Sequence, residues 1–304
     1  MKKLIFAVIS IILLISALIF FIINSNNTNN SDKLSIVSTN FIGYDLARAV
    51  IGDENTNITM LLPPGSEAHS FDPTPGDIIN IKNADLFIYN GGESEDWVEN
   101  LIADNQIDKN KTLRLMDTVE LKQEEADPDE YDEHIWTSIP NTTKMLTAIK
   151  DKLIQIDPKN TNTYERQAAS YVQKLTELDQ EIRSIVANSS RKELVFADRF
   201  PFLYFVTEYG LDYTAAFPGC SEQTEASSQT ISTLIDKVKK GHIPVILKIE
   251  MTPDNLAQTI SEATNAKILT LYSAHNISAE DFEKGTTYLD LLEKNVDTLK
   301  KALN

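Results

Sequence analysis

From Thr163 to Asn188 the chain contains neither Pro nor Gly. Its apolar residues Tyr171, Leu175, Leu178, Ile182 and Ile185 recur there at steps of three and four. That spacing draws one stripe down a single long α-helix. A rod of this kind joins what precedes and follows it as a stiff backbone, not as a loose hinge.

Both flanks of the rod have the same rhythm. Before it, the runs Leu34–Ser38, Ile58–Leu62, Leu86–Tyr89 and Leu113–Met116 read as strands, with helical stretches at Tyr44–Val50, Asp77–Asn83 and Asp96–Ile102 between them. After it, Leu194–Ala197, Tyr213–Phe217, Val245–Ile249 and Ile268–Tyr272 read as strands, separated by helices near 201–209, 226–240 and 254–264. Repeated βα units imply parallel sheets covered on both faces. The expected fold is α/β with two lobes, each a mostly parallel sheet flanked by helices, joined by one long rigid helix. The lobes are placed at 34–160 and 190–304 and the joining helix at 161–189. Leu289, Leu292, Val296, Leu299 and Leu303 form a second stripe that closes the second lobe.

The N-terminal segment directs the rest of the chain out of the cytoplasm. Lys2 and Lys3 precede an apolar run, Leu4–Ile23, broken only by Ser10 and Ser16. Such a run is long enough to cross a bilayer, and the lysines favour the cytoplasmic side. Residues 1–23 are therefore expected to be an uncleaved signal-anchor in preference to a cleaved signal peptide. Residues 24–33 follow as a polar spacer. No cysteine lies near the end of the run, which argues against a lipidated N-terminus. The only cysteine is Cys220, so no internal disulfide can form. The Asn- and Lys-rich, Cys-poor composition suits a Gram-positive cell surface.

Charge narrows the partners. With 28 basic and 45 acidic side chains the formal charge is -17, which disfavours nucleic acid and favours cations. Two of the four histidines stand in Pro64-Gly65-Ser66-Glu67-Ala68-His69 and Asp132-Glu133-His134-Ile135-Trp136, each beside acid at the edge of an apolar segment. Ligands of α/β lobes bind beyond the carboxyl ends of the strands. His69, Asp198, Cys220, Glu250 and His275 fall at such points, His134 lies in a loop before the helix starting near Asn141, and all can converge on a cleft between the lobes. His242 reads as a solvated loop residue. Glu222 and Glu225 are either ligands or caps of the helix near 226. The run Glu124–Glu133 holds seven carboxylates and reads as a mobile collector of cations at the cleft mouth.

The segment from Gly65 through His69 to Pro73-Thr74-Pro75, the Asp132–Trp136 segment, Tyr204, Tyr209-Gly210-Leu211, and the ending from Gly285-Thr286-Thr287-Tyr288-Leu289 to Asn295 and Leu299 resemble the substrate-binding proteins of zinc and manganese ABC importers (the cluster A-I group). The resemblance covers nearly everything after the spacer. It implies two α/β lobes on a rigid helix, one metal between them, and delivery to an ABC importer permease in the membrane. It also implies three histidines and an acid, or two histidines and two carboxylates, as ligands. Two of these fall on His69 and His134. The third falls on Arg199, which cannot ligate a cation, and the fourth falls near Tyr272. Asp198, Cys220, Glu222 and His275 stand close enough to replace them, with Glu250 in reserve and Glu67 as a support for His69.

Three histidines with one acid or thiol suit zinc, while more oxygen ligands suit manganese. The expected protein is thus an extracytoplasmic metal-capture monomer, with zinc favoured over manganese, and not an enzyme. A metal-dependent hydrolase, or an adhesion or sensing protein with a decayed site, are the alternatives.

Overall fold

The computed structural model describes residues 33–52, 57–124, 129–219 and 226–304. The apolar run 4–23, most of the spacer, Cys220, Glu222 and Glu225 lie outside the described residues.

Two four-stranded, all-parallel sheets are built by the same winding. The first contains β1 (Ser35–Ser38), β2 (Asn57–Met60), β3 (Leu86–Tyr89) and β4 (Thr112–Arg114) in the order β2-β1-β3-β4. The second contains β5 (Glu193–Phe196), β6 (Asp212–Ala215), β7 (Val245–Lys248) and β8 (Lys267–Thr270) in the order β6-β5-β7-β8. Each sheet reverses direction of winding at its first strand, so its carboxyl edge opens a crevice there. β4 is shorter than the sequence suggests, because the chain turns into a 3₁₀ helix at Leu115–Thr118 instead of extending to Met116.

Alternation along the strands explains the layering. Ile36 and Ile88 face the same side as Phe41 and Leu46, whereas Val37 and Phe87 face the opposite side with Val98. In the second lobe Phe196 and Leu247 face inward, and Val195 and Ile246 pack with Ile260 outward. The inward sets of both sheets merge into one core along the helix Thr161–Asn188. That helix buries Tyr164, Ala168, Tyr171, Leu175, Leu178, Ile182 and Val186. Ile185, placed on the buried stripe from sequence, sits at its margin and Val186 takes the inner position. Over so long a rod the 3.6-residue period drifts away from a strict three-four count.

Polar bonds add to this shared core. Buried Asp45 accepts hydrogen bonds from Arg48 at 2.8 Å, the Tyr171 hydroxyl at 3.2 Å and the Tyr288 backbone N–H at 2.9 Å. One carboxylate thus links the first lobe, the rod and the helix Tyr288–Ala302. That helix starts with a capping box formed by Thr287 and Asp290, which satisfies its first amides. Among the described residues no helix is long and apolar enough to cross a membrane.

Candidate metal centre

His69, Glu133, His134 and His275 each offer a donor atom, and these atoms all lie within 4.8 Å of one another. Glu133 Oε1 stands 3.7 Å from His69 Nδ1 and 3.9 Å from His275 Nε2. The rings of His69 and His134 both meet the ring of His275 edge-on, with centroids 5.3 and 5.1 Å away. Three donors come from the first lobe and His275 comes from the second.

Each donor is held by a local device. His69 ends a loop that follows β2 and turns at Gly65, whose φ of 84° is left-handed and suits glycine. The second lobe grips this loop. Gly65 N donates to the Ile277 carbonyl at 2.7 Å, and the Asn276 side chain donates to the carbonyls of Pro63 and Ser66 at 3.0 and 2.7 Å. The residue beside His275 therefore clamps the loop that carries His69.

His134 is fully buried, and Asp132 accepts from its backbone N–H at 2.8 Å and meets its Nδ1 at 3.1 Å. An acid on Nδ1 fixes the tautomer and leaves Nε2 as the nitrogen able to coordinate. Asp132 is in turn anchored to the second lobe, since its carbonyl accepts from the Tyr204 hydroxyl at 3.0 Å. Trp136 lies beneath the imidazoles, 5.1 Å from the His275 ring and wholly buried.

His275 sits on a turn braced by Glu250. That carboxylate accepts from Ser273 N and Oγ, both at 2.7 Å, and from Ala274 N at 2.8 Å, which supports the left-handed Ala274 (φ 57°). Burial raises the Glu250 pKa. Burial also holds His275 well below the ordinary histidine value, and His134, His69 and Arg199 push in the same direction. An uncharged imidazole is the form that binds a cation.

Several sequence-derived candidates are placed elsewhere. Asp198 is outside the donor group. Its Oδ1 accepts from Arg199 N at 2.9 Å, and its Oδ2 accepts from Ile249 N at 3.1 Å and Thr252 Oγ1 at 2.5 Å. It ties the end of β5 to the end of β7. Glu250 braces the His275 turn and lies outside the donor group. Glu67 pairs with Arg199 at 3.3 Å across the cleft. Tyr272 is fixed by Asn295, which accepts from its N–H at 2.7 Å and donates to its carbonyl at 2.8 Å. His242 is an exposed left-handed cap of the helix Ser228–Gly241. Cys220 and Glu222 fall outside the described residues.

Sequence reasoning missed Glu133, which it counted in the mobile collector. Glu133 is only 5% exposed. Asn90 Nδ2, at the carboxyl end of β3, donates to its carbonyl at 2.9 Å and seats it at the crevice of the first sheet. The available signal was its position next to His134, inside a motif already singled out.

The family model described as "zinc-uptake complex component A, periplasmic" matches residues 36–302. The chain belongs to this family. It is a two-lobed metal-binding substrate-binding protein, as the resemblance implied. It is 29% identical over 287 residues to the high-affinity zinc uptake system protein ZnuA of Bacillus subtilis, covering 90% of this chain and 89% of that protein. It is 30% identical to the zinc-binding lipoprotein AdcA of Streptococcus pneumoniae, covering 89% of this chain but only 56% of that longer protein. The manganese ABC transporter substrate-binding lipoprotein PsaA of Streptococcus pneumoniae is 28% identical, with 91% of each chain covered. The crystal structure of the metal-dependent lipoprotein YcdH from Bacillus subtilis superposes with a TM-score of 0.79 at 29% identity, covering 90% of this chain and all of that one. The Zn(II)-bound ZnuA-like domain of AdcA gives 0.77 at 29% identity, covering 89% of this chain and 99% of that one. All are metal-uptake or metal-dependent binding proteins, so the hydrolase alternative falls away.

Proposed function

We propose that this protein captures a divalent transition metal outside the cytoplasm, zinc ahead of manganese, and hands it to an ABC importer permease. The metal is cargo, and no chemistry is performed on it. The observation that carries the reading is the donor set His69, Glu133, His134 and His275, three nitrogens and one oxygen drawn from both lobes.

The set fits zinc by donor type, and the separations around its one carboxylate oxygen are near those of a zinc site. Donors about 2.0–2.1 Å from a tetrahedral zinc lie about 3.4 Å from one another. The 3.7 and 3.9 Å separations around Glu133 Oε1 need only a small contraction to reach that. Manganese takes more oxygen ligands, and the set offers a single carboxylate. Because His275 alone comes from the second lobe, a small tilt of that lobe removes one donor and weakens the hold. The shared core and the long rod favour such a tilt over wide opening. The run Leu4–Ile23 serves as the membrane anchor, and the chain acts as a monomer on a Gram-positive surface.

Zinc titration by competition with a chelating dye tests this reading. His69→Ala and His134→Ala should each lose more than about a hundredfold in affinity. Wild-type affinity in both variants would overturn it. A crystal grown with zinc and measured at the zinc absorption edge would identify the ion and the four donors.

A further inference from the structure

The two oxygens of Glu133 have different fates. Oε1 is buried, has no hydrogen-bond partner among the described residues, and faces His69 and His275. Oε2 is turned away and accepts from Ser94 Oγ at 2.7 Å, with Ser94 N at 3.4 Å behind it. We infer that Ser94 sets the metal preference of this site by restricting Glu133 to a single donor oxygen. The inference rests on the proposed donor set and deepens it.

The surroundings are shaped to hold that carboxylate in place. Ser94 lies in the 3₁₀ helix Glu93–Glu95, which follows Gly91 and Gly92 after β3; these two glycines have φ of 88° and 98°. A Cβ on Gly92 would come within 2.7 Å of both Cβ and Oε2 of Glu133, so a side chain there would displace the acid. Asn90, just before Gly91, fixes the Glu133 carbonyl. The carboxylate is thus positioned by its backbone, by steric room and by the Ser94 hydroxyl.

The chemical consequence concerns coordination number. With Oε2 held toward the Ser94 hydroxyl and away from the imidazoles, the carboxylate presents Oε1 alone, giving four donors with the three histidines. Four-coordinate, nitrogen-rich sites suit zinc. Manganese favours six oxygen-rich positions and gains most when a carboxylate binds through both oxygens. Removing the Ser94 hydroxyl releases Oε2 to swing toward the metal. Ser94 is a positioning residue that acts through Glu133 and does not touch the ion.

The test measures zinc and manganese affinities of the full protein as wild type and as the Ser94→Ala, Ser94→Thr and Glu133→Gln variants. Apo thermal midpoints serve as the folding control. In Ser94→Ala the preference for zinc over manganese should shrink by about tenfold, the usual scale for losing a bond to a metal ligand. Most of that change should be tighter manganese binding. X-ray absorption of the manganese-loaded variant should show a second carboxylate oxygen. Ser94→Thr keeps the hydroxyl and should retain the wild-type ratio. A Ser94→Ala ratio within about twofold of wild type, with Glu133→Gln weakened, overturns the role of Ser94 and leaves the donor set intact. If Glu133→Gln binds zinc as tightly as wild type, the donor set is wrong and the inference fails with it.

Discussion

Trp136 Nε1 donates a 2.8 Å hydrogen bond to the carbonyl of Ser273. The bond joins the segment carrying His134 to the turn carrying His275, two residues away on each side. It is wholly buried, and the Trp136 carbonyl also accepts from the Tyr288 hydroxyl at 2.6 Å. The two halves of the metal centre are therefore in register before any ion arrives.

Trp136→Phe keeps most of the apolar volume but leaves the Ser273 carbonyl without its donor. An unsatisfied buried group costs about 1–3 kcal/mol. The urea midpoint of the apo protein should fall accordingly. Zinc affinity should drop more in this variant than in one with a similar loss of stability placed in the outer core, such as Ile260→Val. Equal affinities in the two would show that the bond does not align the site.

Asp132→Asn removes the acid that fixes His134 Nδ1. An Asn can still accept there or can flip its amide, so the fold should persist. Zinc affinity is expected to fall about 10–100-fold. Isothermal titration at constant pH measures it, and an unchanged value would free Asp132 from any part in holding His134.

Asp198→Asn discriminates between the sequence reading and the structure. If Asp198 were a ligand, the substitution would abolish tight binding. Its two oxygens instead accept three bonds, two of which join the end of β5 to the segment after β7. The expected result is lower thermal stability with zinc affinity within about threefold of wild type, below the scale of losing even a ligand's support.

Glu95 offers a pH test on the apo protein. Burial pushes its pKa up to about 7, against an ordinary 4.5, and its Oε2 accepts from Gly91 N at 2.8 Å. With the folded value raised, the unfolded chain ionises first as pH rises. Stability from the protonated acid is therefore full below about 4.5 and is lost as pH climbs through about 7. The whole effect is on the order of 3 kcal/mol. Glu95→Gln should remove this fall when unfolding free energies at pH 5 and pH 8 are compared with wild type. A wild-type slope in the variant would assign the dependence to other groups.

The remaining acids of the run 124–133 are expected to gather cations at the cleft mouth. Replacing Glu124, Glu125, Asp127, Asp129 and Glu130 by Gln should slow zinc association at low ionic strength and leave equilibrium affinity nearly unchanged. Raising salt beyond about 0.1 M, where charges are screened over about 10 Å, should erase the difference. Stopped-flow loading measures it. A large loss of affinity would make these residues ligands.

The alternation of strands and helices, the Pro- and Gly-free rod and the two histidine motifs were legible in the chain itself. Each depends on local periodicity or on neighbours a few positions apart. From them came the two-lobed α/β architecture, the approximate strand positions and the choice of His69, His134 and His275. What only the tertiary structure decided was which carboxylate stands beside the three imidazoles and where the other acids point. Asp198, Glu250 and Glu133 are all carboxylates at the carboxyl edge of a sheet, and sequence cannot rank them. Asp198 and Glu250 spend their oxygens on backbone amides of the second lobe, while Glu133 keeps one oxygen turned toward the imidazoles. Those bonds join residues far apart in the chain, and their direction depends on how the two sheets face each other across the rod.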